Sequence, residues 1–418
     1  MSSFVTHLEA AIDGARLDHQ QPQTLHRDRP LWVRYDLDAV RRAVSPTDLR
    51  DRPATMWRIR ELLPLPTESE PVTLGECRTP LLPCPRLAAH CGVKQLWVKD
   101  ESQLPTGSFK SRGMAMAISM ARHFGIRRVA LPTAGNAGGA AAAYAARAGI
   151  EAHVFMPSDT PVVNQYECHL AGAHTTLVDG LINDCGRIVR EGKAKMDWFD
   201  LSTLKEPYRI EGKKTMGLEL ADQFDWDLPD AILYPTGGGT GLIGMWKAFT
   251  ELAQLGWLPK ADVPTLPTPG AEPVAGPVRG LPQMISVQSD GCAPIAKAFA
   301  AGKRFAELFA DAHSVASGIR VPVAVGDFMI LDAVRASGGL ALSVEEERII
   351  EWMRTASALE GIAICPEAAA CVGALKRLVA EGRIDPEGRI VIFNTGAAQK
   401  YVEAMRVELP RVAKTWSV

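Results

Sequence analysis

Lys110 stands in Leu104-Pro105-Thr106-Gly107-Ser108-Phe109-Lys110-Ser111-Arg112-Gly113, a turn that leads into a helix. A lysine becomes a covalent catalyst when its amine is partly desolvated, because the neutral form is then available near pH 7. Lys99, Lys213 and Lys214 compete for that part. Three more loops carry polar chemistry. Gly237-Gly238-Gly239-Thr240-Gly241 follows an apolar run and opens a helix. Successive N–H groups can converge there, and the helix dipole adds positive charge, which makes a cradle for phosphate. Thr133-Ala134-Gly135 precedes another helix, and its amides and hydroxyl suit a carboxylate. Asn136 can donate its amide to a phenolic oxygen, or serve as a plain helix cap. Thr395 ends the last clear strand and can hydrogen-bond a pyridine nitrogen without holding it protonated.

An amine, an amide, a nest of backbone donors and a hydroxyl are together what pyridoxal 5′-phosphate requires. A hydroxyl at the ring nitrogen makes a less complete electron sink, which suits elimination or replacement at the β- or γ-carbon better than transamination. Other phosphate ligands fit less well. The glycine loop lacks the Lys-Ser/Thr ending of a nucleotide P-loop, and it lacks the Gly-x-Gly-x-x-Gly frame of a dinucleotide site.

The elements that must hold these loops alternate. Short β-branched runs at Leu96–Lys99, Val129–Leu131, Ala152–Met156, Ala231–Tyr234, Met284–Val287 and Arg389–Phe393 are separated by helical stretches. Helices are expected at Ser111–His123, Ala137–Arg147 and Leu242–Leu255. Such alternation predicts an α/β protein with two open, mainly parallel twisted sheets. A larger unit is expected over 71–114 and 206–418, with a smaller α/β unit over 115–205. Residues 1–70 show few strand signals and are expected to form an extension packed on the main body. The segment Pro259–Pro282 holds seven prolines and is expected to be a surface loop.

With 418 residues, 47% hydrophobic content and a net charge of -2, the chain has the profile of a soluble globular protein. Nothing in this balance points to nucleic acid or an acidic membrane surface. Met1 to Gln20 holds no apolar core of leader length and no run of membrane-spanning length occurs, so a cytoplasmic location is expected. The eight cysteines, at 77, 84, 91, 168, 185, 292, 365 and 371, form no Cys-x-x-Cys pair, so no metal site is expected.

Several stretches resemble fold-type II pyridoxal-phosphate enzymes, the tryptophan-synthase-β-like group, and within it the threonine synthases. These are Gly75-Glu76-Cys77-Arg78-Thr79-Pro80-Leu81, Lys99-Asp100-Glu101 through Arg112-Gly113, Thr133 to Gly138, Arg209 to Thr215, the glycine loop and Asn394-Thr395-Gly396. Trp32-Val33-Arg34-Tyr35-Asp36-Leu37 is similar to the segment that follows a small zinc ribbon in the family, but the ribbon's cysteines are missing here. The resemblance implies a lyase in which Lys110 joins the cofactor covalently and shuttles protons. Phe109 would lie beside its ring, Asn136 on its 3-oxygen, Gly237 to Gly241 on its phosphate and Thr395 on its ring nitrogen. Thr133, Ala134 and Gly135 would bind the carboxylate of a small amino-acid substrate, and a homodimer is implied. Ser111, Cys77, the Gly-Gly-Gly-Thr-Gly loop and Cys365-Pro366-Glu367 depart from the usual pattern. The main readings are threonine synthase, which needs a second anion site, and threonine or serine ammonia-lyase or another β-elimination or β-replacement enzyme on a small amino acid; an ammonia-lyase needs no such site. Arg112, Arg209 and Lys214 are the candidates for that second site.

Overall fold

The computed structural model describes residues 3–264, 276–405 and 407–411. It opens with a three-stranded antiparallel sheet of β1 (Val5–Ala10), β2 (Arg16–Leu17) and β3 (Leu31–Tyr35), in the order β2-β1-β3. This sheet was not foreseen. Leu8, Ala10, Leu31 and Val33 alternate inward and form a small core, but charged and proline-rich stretches obscure the period. The sheet is tied to the main body by Tyr35, whose hydroxyl donates to Glu211 at 2.7 Å.

The chain continues through β4 (Leu81–Pro83) and β5 (Gln95–Asp100) into a second sheet made of β6 (Arg128–Pro132), β7 (Glu151–Pro157), β8 (His174–Val178) and β9 (Phe199–Asp200). It then returns through β10 (Ala231–Pro235), β11 (Gln283–Ser289), β12 (Leu340–Val344) and β13 (Arg389–Asn394). The larger sheet has the order β12-β11-β10-β13-β5-β4 and the smaller β8-β7-β6-β9. Every pairing in both is parallel except β4 with β5. The fold is therefore α/β with two open, mainly parallel sheets. The central strands read as continuous apolar runs because helices cover both faces, as β10 with five buried residues shows.

The expected helices run Lys110–His123, Asn136–Ala148 and Thr240–Leu255. Gly149 and Gly256 stop the last two in left-handed conformation, the usual glycine ending. Of the proline-rich stretch, residues 265–275 lie outside the described residues, and the flanks 259–264 and 276–282 contain neither helix nor strand. No helix among the described residues is long and apolar enough to cross a membrane.

Candidate active site

Lys110 is placed by its own helix. That helix crosses Tyr208–Gln223 at a point where two glycines let the backbones meet. A Cβ on Gly113 would lie 2.9 Å from Lys213 Cε, and one on Gly212 would run into the Arg112 carbonyl. Behind this crossing, fully buried Arg112 pairs with Glu101 at 2.6 Å and Glu219 at 3.0 Å, and Lys99 also donates to Glu219. Arg112 is thus consumed as scaffold and is not an anion site. Lys214 is excluded in the same way, because Glu211 at 2.7 Å and Glu251 at 2.9 Å neutralise it. Of the three candidates for the second anion site, only Arg209 faces the cavity.

The cavity is about 350 Å³, within the usual range of small-ligand sites. It lies at the C-terminal ends of parallel strands in both sheets, where open α/β sheets take their ligands. Phe109 and Lys110, the run Thr133 to Asn136, the run Gly237 to Gly241, and Thr395 all line it. Twelve positions drawn from four separate loops therefore converge on one space. Lys110 Nζ sits 3.9 Å from the centre of the Phe109 ring, and Lys213 Nζ sits 4.2 Å from it. Burial, reinforced by the Arg209 charge, brings Lys110 down to about 7, while Glu367 and Cys365 act in the other direction. Lys213 is also lowered well below its ordinary value, by burial and then by Lys110, but it donates to the Phe109 carbonyl and does not line the cavity. Of the two, Lys110 is the amine that faces the cavity, and its neutral form is available near pH 7.

Gly239 has a φ of 73° and caps the helix Thr240–Leu255. A Cβ on Gly237 would stand 2.7 Å from the Gly318 carbonyl, and one on Gly238 2.7 Å from Thr203 Cγ2. Only glycine lets this loop approach the cavity so closely, and its amides remain presented at a helix N-terminus. The Thr133 hydroxyl accepts from Gly135 and Gly138 amides at 3.0 and 3.1 Å, so it braces its own loop. Asn136 is not the cap, since Gly135 fills that position and Asn136 instead donates to the Tyr401 hydroxyl at 3.0 Å. Thr395 Oγ1 lies 3.6 Å from Cys365 Sγ. Burial and the Glu367 charge push that thiol upward, so it stays protonated and can donate, which leaves the threonine proton free for a ring nitrogen.

Sequence reasoning missed several cavity residues: Arg190, Ser202, Lys205, Ser317, Gly318, Glu367 and Tyr401. They come from segments without a motif, and only the departure at Cys365-Pro366-Glu367 gave a signal. Among the described residues no cysteine belongs to a cluster of potential metal ligands. Cys77 is exposed, and the other seven are buried and free. Among the described residues one group, Glu151, His153 and His174, brings ligand atoms within 4.8 Å of one another, and Arg128 also pairs with Glu151 at 2.8 Å.

Against known proteins, residues 72–396 match the family model described as pyridoxal-phosphate dependent enzyme. The chain belongs to this family, and pyridoxal 5′-phosphate is its cofactor. The residues present fit it: an amine lowered to about 7 by burial, glycines whose replacement would crowd the loop at a helix N-terminus, and the Asn136 side-chain amide on the cavity wall. Among curated proteins the chain is 33% identical to the threonine synthase of Methanocaldococcus jannaschii, over 90% of this chain and 87% of that one. It is 34% identical to that of Methanosarcina acetivorans, over 88% and 85%. Solved structures share the fold. The processed form of threonine deaminase isoform 2 from Solanum lycopersicum aligns with a TM-score of 0.62 at 20% identity, covering 78% of this chain and 87% of that one. Diaminopropionate ammonia lyase from Escherichia coli aligns at 0.64 and 18%, covering 80% and 88%.

Proposed function

We propose that this chain is a threonine synthase, converting O-phospho-L-homoserine and water to L-threonine and phosphate. The observation that carries this reading is its likeness to curated threonine synthases along nearly its whole length. The cavity adds a chemical reason. Besides the glycine cradle it is lined by three cations, Arg190, Lys205 and Arg209. Lys205 is paired with Asp200 at 3.2 Å, whereas the buried Arg209 Nε has no partner among the described residues. A substrate with its own phosphate would satisfy that group, and an ammonia-lyase substrate would leave it unmet.

When bound, pyridoxal phosphate delocalises the electron pair left at Cα. The protein then has four tasks. The amides of Thr133, Ala134 and Gly135 hold the substrate carboxylate and set which Cα bond faces Lys110. Lys110 Nζ takes the Cα proton and later one from Cβ, for which a group balanced near neutrality is suited. Arg209, with Arg190 at the exposed side, holds the phosphate that leaves Cγ. The smaller unit, about 115–205, closes on the larger one and limits water to the step at Cβ. The active form is a cytoplasmic homodimer in this reading.

Purified protein reconstituted with the cofactor should release phosphate and L-threonine from O-phospho-L-homoserine. Formation of 2-oxobutyrate from threonine or pyruvate from serine, with no phosphate release, would overturn the assignment in favour of an ammonia-lyase.

A further inference from the structure

Three side chains from distant parts of the sequence form a line at the cavity wall. Asn136 Nδ2 is 3.0 Å from the Tyr401 hydroxyl, and that hydroxyl is 2.7 Å from Glu367 Oε1. The same carboxylate oxygen accepts from the Gly318 amide at 2.7 Å. Glu367 Oε2 and Asn136 Oδ1 are both buried and have no partner among the described residues. All three side chains line the cavity.

The direction of this line is not free. A carboxylate only accepts, so the single Tyr401 proton must go to Glu367. The tyrosine oxygen then has only lone pairs left, so Asn136 must turn its NH₂ group toward it. Burial, and after it the Glu367 charge, push the Tyr401 hydroxyl well above its ordinary value, so it keeps its proton throughout. Orientation of a side-chain amide is normally ambiguous, yet here a chain of acceptors decides it. We propose that Glu367, acting through Tyr401, is the positioning residue that locks the Asn136 amide so that its second N–H, and not its carbonyl, meets the 3-oxygen of the cofactor.

The consequence is electronic. An N–H donated to the 3-oxygen favours that oxygen without its proton, whereas a carbonyl turned toward it would favour the protonated oxygen. Without the carboxylate, Asn136 could rotate and offer either group. The departure at Cys365-Pro366-Glu367 thereby gains a purpose, since it sets a carboxylate two residues after Cys365 and within reach of Tyr401.

The inference rests on pyridoxal phosphate occupying this cavity with its 3-oxygen at Asn136, and the test separates the two. Full-length protein is reconstituted with pyridoxal phosphate as wild type, Tyr401→Phe and Glu367→Gln. Bound cofactor is counted by mass spectrometry after borohydride reduction. The ratio of its visible to ultraviolet absorption reports the proton on the 3-oxygen. Both variants should keep the cofactor while the ratio falls about five-fold, the factor that one hydrogen bond of average net strength gives. Wild type that takes up no cofactor would sink the reading of the site itself. An unchanged ratio in both variants, or loss of cofactor at an unchanged ratio, would overturn the relay. A shift in Tyr401→Phe alone would remove Glu367 from it. Tyr401→Phe deletes one oxygen and keeps the ring packed, so the relay is tested even where Glu367→Gln folds poorly.

Discussion

Burial and the Arg209 charge bring the Lys110 ammonium to about 7, and this one shift makes the residue useful. The neutral amine is the reactive form, so covalent capture of pyridoxal phosphate by the apoprotein should accelerate as pH rises through about 7 and level off above it. Lys110→Ala should abolish capture at every pH, as read by borohydride trapping and peptide mass mapping. Persistence of a trapped adduct on Lys213 would show that the wrong amine was chosen. A second residue-scale consequence concerns Glu219. Burial alone would raise its carboxyl, but Arg112 and Lys99 overcome that and hold it at about 2. A carboxyl depressed in the folded state contributes stability above its unfolded value of 4.5, and that contribution is lost as pH falls toward 2. Urea unfolding between those limits should therefore be less pH-dependent in Glu219→Gln than in wild type. Arg112→Met should cost about 3–5 kcal/mol at neutral pH, because it leaves the buried Glu101 carboxylate without a cation and Glu219 with Lys99 alone.

Elements with a clean period and a capping glycine were legible in the sequence, and those whose partners lie far away were not. The strands at 95–100, 128–132, 151–157, 231–235, 283–289 and 389–394 each announce themselves as apolar runs, because both faces of a parallel sheet are covered. The strand Leu340–Val344 and the N-terminal sheet escaped, since short alternation next to charged neighbours looks like loop. The same logic governs the site. Lys110, Asn136 and the glycine loop sit at helix starts, and Thr395 directly follows a strand, each with recognisable chemistry. Tyr401 and Glu367 become neighbours only when the C-terminal segment folds across the cavity, and no spacing of types predicts that. The glycine loop gives the prediction at this scale. Its turn needs the left-handed φ of 73° at Gly239, and a Cβ there would also run into Ile330. Gly239→Ala should lower stability by roughly 1–3 kcal/mol. It should weaken cofactor binding by more than that loss explains, since the amides proposed to hold the phosphate would move with the turn. Equilibrium dialysis of pyridoxal phosphate alongside chemical unfolding separates the two effects, and an unaltered dissociation constant would show that the cradle lies elsewhere.

At the scale of the molecule, the cavity is held between two sheets by a small number of charged contacts at its rim. Arg320, which follows the Ser317–Ile319 turn beside the glycine loop, makes a two-pronged pair with Asp159 at 2.7 and 2.9 Å, just beyond β7 of the smaller sheet. On another side Lys400 reaches Glu167 at 2.7 and 2.9 Å, and Glu403 accepts from the Val162 amide at 3.1 Å. These contacts join segments 161, 233 and 241 residues apart, so they tie the two sheets' flanks across the cavity and hold no single element together. The Asp159 side chain is 58% exposed, so the Arg320 pair is worth at most about 1 kcal/mol to the fold. If the smaller unit closes on the larger one as proposed, the pair would favour the closed form, and about 1 kcal/mol there would be roughly a five-fold change in the ratio of closed to open. Arg320→Ala should accordingly leave the melting temperature close to that of wild type and raise KM for O-phospho-L-homoserine severalfold. Asp159→Asn should do the same, and the double variant should be no worse than either alone, because both remove one contact. Additive losses would mean that the two residues act separately, and a clasp at this rim would then have no support.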